Sequence, residues 1–484
     1  MHVLFVTSEV DPLVKTGGLA DVSAALPSAL RELGIDVRIL VPGYPGVLAG
    51  VRARRVADEV ALLPGVAPMS FLQGRMPRDD IPVYILDCPS LYDRPGGPYQ
   101  DADGVEWPDN ARRFAALGRA AALLGRRASP LRWRADIVHC NDWQSGLAPA
   151  YLHFDPQPCA RSLLAVHNLA FHGSFPASLA PALCLPWEGY SMHGYEFHGR
   201  ISFLKAGLYY ADRIATVSPR YAREIQSEAY GCGLHGLLAE RAAQLSGILN
   251  GIDTATWDPR TDRNLRRRYS ERSLHGKSLN KGTLQARFGL AQDPKIPLLG
   301  MVTRLTHQKG VDLVPEALAL LGDRPWQLVV LGSGDPVIAQ RLLAFSAERP
   351  GQVGFLSDFD EPLAHQIEGG ADLFVMPSRF EPCGLNQMYS MRYATPPVVR
   401  RTGGLADTVI DAQAQTLDAG TATGFIFDLP EAPALAEALA RALDCYADPK
   451  AWRGVQRAGM RRDFSWRPSA LRYREVYAGL LERG

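Results

Sequence analysis

Short apolar runs alternate with longer amphipathic stretches along the first half of the chain. Residues 2–7 are predicted as a buried strand, residues 21–33 as a helix closed by Gly34, and residues 35–41 as the next strand. This order predicts a β-α-β unit. Further strands are predicted at 83–86, 135–140, 162–166 and 213–217, with helices near 109–124 and 200–210. Strands this rich in Val, Ile and Leu predict a parallel sheet covered on both faces.

The same alternation resumes in the second half of the chain and predicts a second doubly wound sheet. Its strands are predicted at 297–302, 327–331, 353–356, 372–376 and 397–400. We place the boundary near residues 245–250, which gives an N-terminal domain at 1–246 and a C-terminal domain at 247–463. A last helical pattern, at 469–483, predicts that a segment of about 464–484 returns to the first domain.

Two stretches break the alternation. Residues 172–200 contain no clear sheet strand but several histidine and aromatic residues, so they are either an irregular flap or a surface that stacks on sugar rings. The sequence leaves both interpretations open. A polar, basic stretch then runs to Arg287, and its arginines at 266–268 with Lys277 and Lys281 are predicted as a solvated face rather than an RNA site.

Length, charge and cysteine content narrow the class of protein. A chain of 484 residues is too long for one ordinary core, and a net charge of +1 excludes capture of nucleic acid or an anionic membrane by bulk charge. The seven cysteines have neither C-x-x-C spacing nor an even count, which favours reduced thiols. The chain begins with a strand and has no long apolar run, so we expect a cytoplasmic enzyme without a membrane segment.

Polar side chains follow three predicted strands of the first sheet. Lys15 comes after the first strand, Asp142 after strand 135–140, and His167 after strand 162–166. Because the carboxyl ends of parallel strands meet at one edge of a sheet, these residues are predicted to form one site. No histidine pair has i,i+4 spacing beside a carboxylate, so we expect no metal there.

The segment 377–407 contains two successive strand-to-helix turns. Glu381 lies in the first turn, before a predicted helix at 386–394, where free amides and the positive helix end favour anions or sugar oxygens. The alternative is that Glu381 only caps that helix. The sequence TGGLAD, which occurs at 402–407 and again at 16–21, favours the first interpretation and predicts two related α/β domains facing one ligand.

Two further turns have features of phosphate-binding loops. The sequence RLTHQKG at 304–310 places the cations Arg304 and Lys309 directly after a predicted strand, where they can straddle a diphosphate. The sequence GSG at 332–334 is a weaker signal, because it lacks the third glycine and the acidic residue of a dinucleotide fingerprint.

With KTGGLAD at 15–21, NGID at 250–253, RLTHQKG, EPCGL at 381–385 and the second TGGLAD in order, the chain resembles bacterial glycogen synthases and plant starch synthases from end to end. The resemblance implies an α/β fold of two facing Rossmann-like doubly wound domains with an interdomain cleft, the glycosyltransferase B-type architecture. It also implies retaining transfer of glucose from ADP-glucose to the non-reducing end of an α-1,4-glucan such as glycogen. Because two cations beside the diphosphate make a divalent metal unnecessary, we expect no metal and no cofactor.

The resemblance also implies a role for each matching residue. The diphosphate clamp corresponds to Arg304 and Lys309, and the donor-glucose site corresponds to Glu381, Pro382, Cys383, Gly384 and Leu385. The N-terminal loop corresponds to Lys15, Gly17, Gly18 and Asp21. The donor-sugar contacts correspond to Asp142, His167, Asn168 and Asn250, and an acceptor or nucleotide contact corresponds to Tyr92. We expect Glu381, His167, Arg304, Lys309 and Asp142 to matter most for catalysis.

Several alternatives stay open at this point. Asn386, Gln144 and Trp107-Pro108 depart from the usual family pattern, which could alter nucleotide preference or acceptor fit. A UDP-glucose transferase fits the residues almost as well, and a catalytically silent glucan-binding or nucleotide-sensing relative should have lost some of the charges retained here. Glu381 could be a nucleophile, although its loop suits sugar-hydroxyl binding better, and Cys383 is either a reactive thiol or a small buried residue.

Overall fold

The chain forms two compact units in the computed structural model, which describes residues 1–157 and 159–482. Unit 1 comprises Met1–Gly251 together with the segment that starts at Trp466, and unit 2 comprises Ile252–Ser465. The chain therefore leaves unit 1 once and returns to it near its end. Arg483, where the sequence predicted the last helix to end, and Gly484 lie outside the described residues.

Unit 1 is built around a nine-stranded sheet and a separate sheet of three short strands. Its strands are β1 (His2–Val6), β2 (Asp36–Pro42), β3 (Arg54–Val60), β4 (Met69–Arg75), β5 (Pro82–Asp87), β6 (Ile137–Asn141), β7 (Arg161–Val166), β8 (Ser174–Pro176), β9 (Glu196–Phe197), β10 (Arg200–Ser202), β11 (Arg213–Thr216) and β12 (Leu245–Gly247). Its first eight helices are α1 (Gly18–Glu32), α2 (Pro45–Gly50), α3 (Pro89–Tyr92), α4 (Asn110–Leu124), α5 (Ala148–His153), α6 (Phe203–Tyr210), α7 (Pro219–Glu224) and α8 (His235–Glu240).

The large sheet of unit 1 has the strand order β12-β11-β7-β6-β1-β2-β5-β4-β3. The strands from β12 to β5 pair in parallel, and β4 and β3 extend the sheet in antiparallel fashion. From β1 the chain proceeds to one side of the sheet through β2 and β5, and later to the other side through β6 and β7. The carboxyl ends of β1 and β6 therefore flank a topological switch point, where ligands of such sheets bind.

Unit 2 has one six-stranded sheet. Its strands are β13 (Leu298–Val302), β14 (Gln327–Leu331), β15 (Val353–Leu356), β16 (Leu373–Met376), β17 (Pro397–Arg400) and β18 (Phe425–Phe427). Its helices are α9 (His275–Arg287), α10 (Val314–Ala319), α11 (Pro336–Glu348), α12 (Glu361–Gly370), α13 (Asn386–Arg392), α14 (Gly403–Thr408), α15 (Ala414–Asp418), α16 (Ala432–Ala447) and α17 (Pro449–Met460).

All neighbouring strands of the unit 2 sheet pair in parallel, in the order β15-β14-β13-β16-β17-β18. Numbered along the chain, this is the order 3-2-1-4-5-6 of a nucleotide-binding Rossmann sheet, with its switch point between β13 and β16. The parallel strands of unit 1 follow the same order with one strand added at one end. The predicted α/β class with two Rossmann-like sheets is therefore confirmed.

The last described helix, α18 (Trp466–Leu481), completes the core of unit 1. Its buried side chains Trp466, Tyr473 and Tyr477 belong to the apolar cluster that also contains Val3 and Phe5 of β1. The Tyr477 hydroxyl lies 2.7 Å from Nδ1 of His139, a fully buried residue of β6. The C-terminal segment is thus an integral part of the first sheet's packing.

The structure of unit 1 differs from the predictions in three places. Strands β3 and β4 were not predicted. β3 faces solvent along most of its length and has no apolar alternation, whereas β4 is buried only in its first half. The segment 172–200 contains two of the three strands of a small antiparallel sheet, although no strand was predicted there. Strands of two or three residues are too short to produce a period-two pattern. The helix predicted from residue 200 begins only at Phe203, after β10.

The prediction of a solvated basic face in unit 2 was wrong for its lysines. Residues 266–268 are exposed, but Lys277 and Lys281 are only 5% and 4% exposed. Both lie on α9, a helix that was not predicted because its sequence is mainly polar. Lys281 is neutralised by Asp372 at 2.6 Å, and Lys277 is surrounded by oxygen acceptors. Within the described residues, no helix is both long and apolar enough to span a bilayer.

Candidate active site

The loops that follow β13 and β16 meet at the switch point of unit 2. The backbone N–H of Arg379 donates to the carbonyl of Gln308 at 2.8 Å. Gly310 has φ +63°, and a Cβ added there would lie 2.1 Å from the Pro377 carbonyl oxygen. Only glycine permits this approach, so the sequence fixes the contact between the two loops.

An ion pair between a partly buried lysine and a buried glutamate joins these loops. Lys309 Nζ lies 2.6 Å from Glu381 Oε2, which also accepts a hydrogen bond from Ser378 Oγ at 2.9 Å. Glu381 is only 6% exposed. The residue at the N-cap of α13 is Leu385, not Glu381, so the interpretation of Glu381 as a helix cap does not describe this structure.

The loop between Glu381 and α13 presents backbone donors. No hydrogen bond from the N–H groups of Gly384 and Leu385 is found within the described residues. The side chain of Gln387 stabilises the loop, because its Nε2 donates to the carbonyls of Cys383 and Gly384 at 3.1 and 3.0 Å. The Cys383 side chain is buried. This loop can therefore offer two amide donors to an anion or a sugar oxygen.

Arg304 differs from Lys309 in its surroundings. Its side chain is exposed and has no hydrogen-bond or ion-pair partner in the described part of the chain. The adjoining backbone is rigid, since a Cβ at Gly332 would lie 1.9 Å from the Thr303 carbonyl oxygen and one at Gly334 would lie 2.4 Å from that of Leu305. The glycines of the GSG sequence are thus required for packing, which holds Arg304 at the strand end.

A third loop, at the start of α14, packs on the Glu381 loop. The N–H of Gly404 is 3.2 Å from the Glu381 carbonyl and 3.1 Å from that of Pro382. A Cβ on Gly403 would lie 1.9 Å from the Glu381 carbonyl oxygen, and one on Gly404 would lie 2.1 Å from that of Cys383. The second TGGLAD sequence therefore serves close packing between two loops of unit 2.

In unit 1, Glu9 organises the loop that follows β1. This residue is 3% exposed, and its carboxylate accepts from the backbone of Thr16 at 2.6 Å and of Gly17 at 3.1 Å. It also accepts from Thr16 Oγ1 at 2.6 Å and from the Tyr99 hydroxyl at 2.5 Å. Four donors on one buried carboxylate hold the loop 15–18 in a defined shape.

The first TGGLAD sequence differs physically from the second. Gly17 has extended backbone, and a Cβ added there would meet nothing within 4 Å. Gly18 begins α1, and Lys15 Nζ pairs with Asp21 Oδ1 at 2.6 Å. This copy follows the first strand of its sheet, whereas the other follows the fifth. The repeat does not mark equivalent positions; the loop that corresponds to 15–18 in unit 2 is the one at 304–310.

Asp142 lies at the other side of the unit 1 switch point, directly after β6. Its backbone has φ +53°, and its Oδ1 accepts from the N–H of His167 at 2.6 Å and of Asn168 at 3.4 Å. Burial raises the pKa of Asp142 to about 7, and these backbone donors only partly oppose the rise. Asp142 thus links the ends of β6 and β7.

The side chain of His167 has a defined tautomer. Asn141 Nδ2 donates to the Val6 carbonyl at 2.9 Å, so its Oδ1 faces His167 Nε2 at 2.9 Å and must accept from it. Nε2 therefore has the proton. Burial lowers the pKa of His167 to about 4, which keeps the ring neutral near pH 7 and leaves Nδ1 unprotonated.

The other predicted residues of unit 1 vary in what they can offer a ligand. Asn250 is 6% exposed, and its buried Oδ1 has no hydrogen-bond partner within residues 1–157 and 159–482. Asn168 Oδ1 accepts from the N–H of Ala170 at 3.1 Å. Tyr92 is 1% exposed, and its hydroxyl donates to the Arg113 carbonyl at 2.7 Å, so contact with a ligand would require this bond to break.

The histidine-rich segment 172–200 has mainly aromatic packing in this structure. His172 and His198 both pack against the ring of Phe197, and Lys205 Nζ holds the segment by donating to the Met192 carbonyl at 2.8 Å and to that of Glu196. Among the described residues, no group of three His, Cys, Asp or Glu side chains is arranged to hold a metal ion.

The residues that sequence reasoning missed are those that support the site. Glu9 lies just after the first predicted strand and Ser378 lies within the segment 377–407, and the signal that could have identified them was a carboxylate or hydroxyl beside a glycine turn. Tyr99 gave no such signal, because it is 90 residues away from the carboxylate that it contacts. Asn141 orients His167 through a contact 26 residues apart.

Comparison with known proteins agrees with this geometry. Residues 2–240 match the family model for the starch synthase catalytic domain, and residues 283–457 match that for glycosyl transferases group 1. The chain is 52% identical over 485 residues to glycogen synthase of Nitrosomonas europaea, with 100% of this chain and 98% of that protein covered. It is 55% identical over 481 residues to glycogen synthase of Aromatoleum aromaticum, with 99% and 97% covered.

Solved structures give the same result. The catalytic domain of starch synthase IV from Arabidopsis thaliana, bound to ADP and acarbose, matches with a TM-score of 0.88 and 32% identity over 99% of both chains. Sucrose-phosphate synthase from Thermosynechococcus elongatus, with a TM-score of 0.61 and 20% identity over 100% of both chains, shares the fold. The resemblance inferred from the motifs is confirmed: the chain belongs to the glycogen synthase and starch synthase family of glycosyltransferases.

Proposed function

We propose that this enzyme transfers glucose from ADP-glucose to the non-reducing end of an α-1,4-glucan such as glycogen, with retention of anomeric configuration and release of ADP. The observation that supports it most is the largely shielded Lys309–Glu381 pair at the switch point of a Rossmann sheet, beside the amides of Gly384 and Leu385, which have no acceptor among the described residues. The relatives named glycogen synthase and the starch synthase bound to ADP support the choice of donor and acceptor.

The chemical problem is charge separation. Breaking the anomeric C–O bond leaves negative charge on the ADP diphosphate and positive charge on the sugar ring. In the proposal Arg304 binds the diphosphate through its guanidinium fork and Lys309 acts as a point charge. A charge-assisted hydrogen bond contributes about 1.5 to 3 kcal/mol, and because about 1.36 kcal/mol is a factor of ten in rate, loss of either cation should slow transfer by at least about tenfold.

Glu381 is proposed to hold the donor glucose rather than to attack it. Its carboxylate is engaged by Lys309 and Ser378, which lowers its nucleophilicity, and the neighbouring residues Pro382 to Leu385 supply the amide donors. A retaining hydrolase would use a second carboxylate as acid and form a covalent glycosyl intermediate. Mass spectrometry of the enzyme quenched during turnover should therefore find no glucosyl adduct on Glu381, and finding one would overturn this role.

Four polar residues of unit 1 are proposed to contact the glucose of the donor, and Tyr92 completes the set. Nδ1 of neutral His167 can accept a hydrogen bond from a sugar hydroxyl, and the backbone carbonyl of His167 can stabilise the ring cation. Asp142 can also accept from a sugar hydroxyl, as can Oδ1 of Asn250, which has no partner among the described residues. Asn168 and Tyr92 complete the proposed contacts.

The loop at 15–18 is proposed to bind the donor through a close approach at Gly17. Gly17 needs no special backbone and meets no steric limit, so the absence of a side chain there is not explained by folding. A close approach by a ligand would explain it. Lys15, Gly18 and Asp21 then position this loop and its charge.

The test is nucleotide release from paired donors. ADP-glucose and UDP-glucose are supplied separately with glycogen, with and without EDTA, and free ADP or UDP is measured together with the linkage of the new glucose by NMR. We expect ADP release that needs glycogen and resists EDTA, with a new α-1,4 bond. Preferred release of UDP would support the UDP-glucose alternative, and tight glycogen binding without any release would support the non-catalytic one. The cytoplasmic location predicted from the sequence remains part of this proposal.

A further inference from the structure

Lys277 is an unusual buried cation of unit 2. It is 5% exposed, and within the described residues it forms no ion pair, in contrast to Lys281 one turn later on α9. It belongs to the polar, basic stretch that precedes the second sheet, to which the proposed reaction assigns no role. Taking an ammonium out of water is costly unless hydrogen bonds replace its hydration, so the acceptors around it define what it does.

Two helix ends converge on the ammonium of Lys277. Nζ lies 3.3 Å from the carbonyl oxygens of Glu368 and Gly369 in the last turn of α12, and 3.0 Å from that of Tyr393 just after α13. It also donates to Thr395 Oγ1 at 2.6 Å. Carbonyls at helix C-termini lack intrahelical donors and lie at the negative end of the helix dipole, so one positive charge stabilises both ends at once.

The turn at 393–395, which joins α13 to β17, is held by side chains from other parts of unit 2 as well. The Tyr269 hydroxyl donates to the Tyr393 carbonyl at 2.6 Å, and Gln456 Nε2 donates to the Ala394 carbonyl at 2.9 Å. Ala394 has φ +54°, a left-handed conformation that a non-glycine residue adopts at a cost. The turn is therefore tightly specified although it is not itself a site.

The elements on either side of this turn lead to two loops of the candidate site. α13 begins directly after Leu385, and β17 ends directly before the loop that contains Gly403 and Gly404. These loops pack so closely that no side chain fits between them, because a Cβ at Gly403 would lie 1.9 Å from the Glu381 carbonyl oxygen. A small shift of α13 relative to β17 would therefore alter the Glu381 loop.

We propose that Lys277 is a positioning residue for donor binding: by gathering the 393–395 turn and the end of α12 around its ammonium, it sets the placement of the Glu381 loop relative to the Gly403 loop. The inference rests on the proposed function, since it assigns the donor to these loops. Lys277 does not touch the donor. Burial lowers the pKa of Lys277 to about 7, and the nearby carboxyl groups of Asp372 and Glu368 oppose this by favouring the protonated form.

Lys277→Met removes the charge and keeps most of the side-chain volume, and Gln285→Met is its matched control. Gln285 lies two turns further along α9, is 2% exposed, and bonds to the Asp293 carbonyl and to Gln327, away from the 393–395 turn. Both variants should lose stability. Only Lys277→Met should raise the KM for ADP-glucose and lower kcat, together at least about tenfold in kcat/KM, with the KM for glycogen unchanged.

Amide hydrogen exchange supplies a readout that does not depend on activity. Peptides that cover 381–407 should exchange faster in Lys277→Met than in Gln285→Met, both measured at a temperature where circular dichroism shows folded protein. If Lys277→Met does not fold, Thr395→Val removes one acceptor and should give a smaller change in the same direction. Wild-type donor kinetics and exchange in the folded Lys277 variant, or equal losses in both variants, would overturn the inference. A wild-type enzyme that releases no ADP would contradict the proposed function, and exchange would then decide the positioning role alone.

Discussion

Glu381→Gln should make the enzyme bind ADP more tightly while it transfers glucose more slowly. The Lys309 ammonium is 2.6 Å from the Glu381 carboxylate, so its charge is already compensated. A diphosphate oxygen on the other side of this ammonium would lie about 5 Å from the carboxylate, since each ammonium–oxygen contact is about 2.7 to 2.9 Å. The carboxylate then attracts the lysine and repels the diphosphate.

The size of the effect follows from Coulomb's law. Two like charges about 5 Å apart repel by about 3 kcal/mol at an effective dielectric constant of about 20, and by about 1 kcal/mol in bulk water. Because Glu381 is only 6% exposed, the larger figure is the better guide. Neutralising it should strengthen ADP binding by about 5- to 100-fold. Loss of charge-assisted bonds to the donor sugar should meanwhile lower kcat by at least about tenfold.

The assay is titration calorimetry with ADP and no glucan, alongside ADP-glucose turnover. Asp372→Asn is the control, because Asp372 is 8% exposed, pairs with Lys281 at 2.6 Å in the same unit and precedes β16, whereas Glu381 follows that strand. Its ADP affinity should match that of the wild type. Unchanged or weaker ADP binding by folded Glu381→Gln would mean that Lys309 does not reach the diphosphate, and the assignment of both residues would have to be abandoned.

Three further predictions follow from single contacts. Gly404→Ala should destabilise the protein by about 1 to 3 kcal/mol and inactivate it, because the added Cβ would lie 2.1 Å from the Cys383 carbonyl oxygen. Gly17→Ala, whose added Cβ would meet nothing within 4 Å, should keep the wild-type melting temperature and raise only the KM for ADP-glucose. Since burial raises the pKa of Asp142 from 3.8 to about 7, its stabilising contribution is full below about pH 4 and is lost as pH rises to about 7. Asp142→Asn should therefore gain about 3 to 5 kcal/mol relative to the wild type across that range in denaturant unfolding, and a pH-independent difference would contradict the raised pKa. Arg304→Met should keep the melting temperature and lose at least about tenfold in kcat/KM, and a folded variant with wild-type turnover would remove Arg304 from the diphosphate site.

The sequence was sufficient for the parallel strands but not for the polar edge of the first sheet. Buried strands are continuous apolar runs whose signal is local, which is why β1, β2, β13 and β14 were predicted within a residue or two. Strand β3 is stabilised by pairing with β4 and not by burial of its own side chains. That pairing is a property of the sheet and leaves no periodic signal in the strand itself.

The site was predicted where chemistry and turn signals coincided. Lys309 and Glu381 were found because glycines and charges lay beside predicted strand ends, and the structure joins them by an ion pair. Tyr99 was not assigned, because its contact with Glu9 spans 90 residues, whereas Glu9 was overlooked although Thr16 and Gly17, its other donors, lie close by in sequence. Lys277 was placed on the surface because lysine is usually solvated, and only the convergence of two helix ends explains its burial.

The return of α18 to unit 1 has a consequence for biosynthesis. Unit 2 is continuous in the chain, but the core around His139 and Phe5 lacks Tyr473 and Tyr477 until α18 has left the ribosome. Because domains generally fold as they are synthesised, the half that is translated first should be the half that matures last. A transcript cut short before Trp466 would thus yield a finished second half attached to an incomplete first one, a ready substrate for chaperones and proteases.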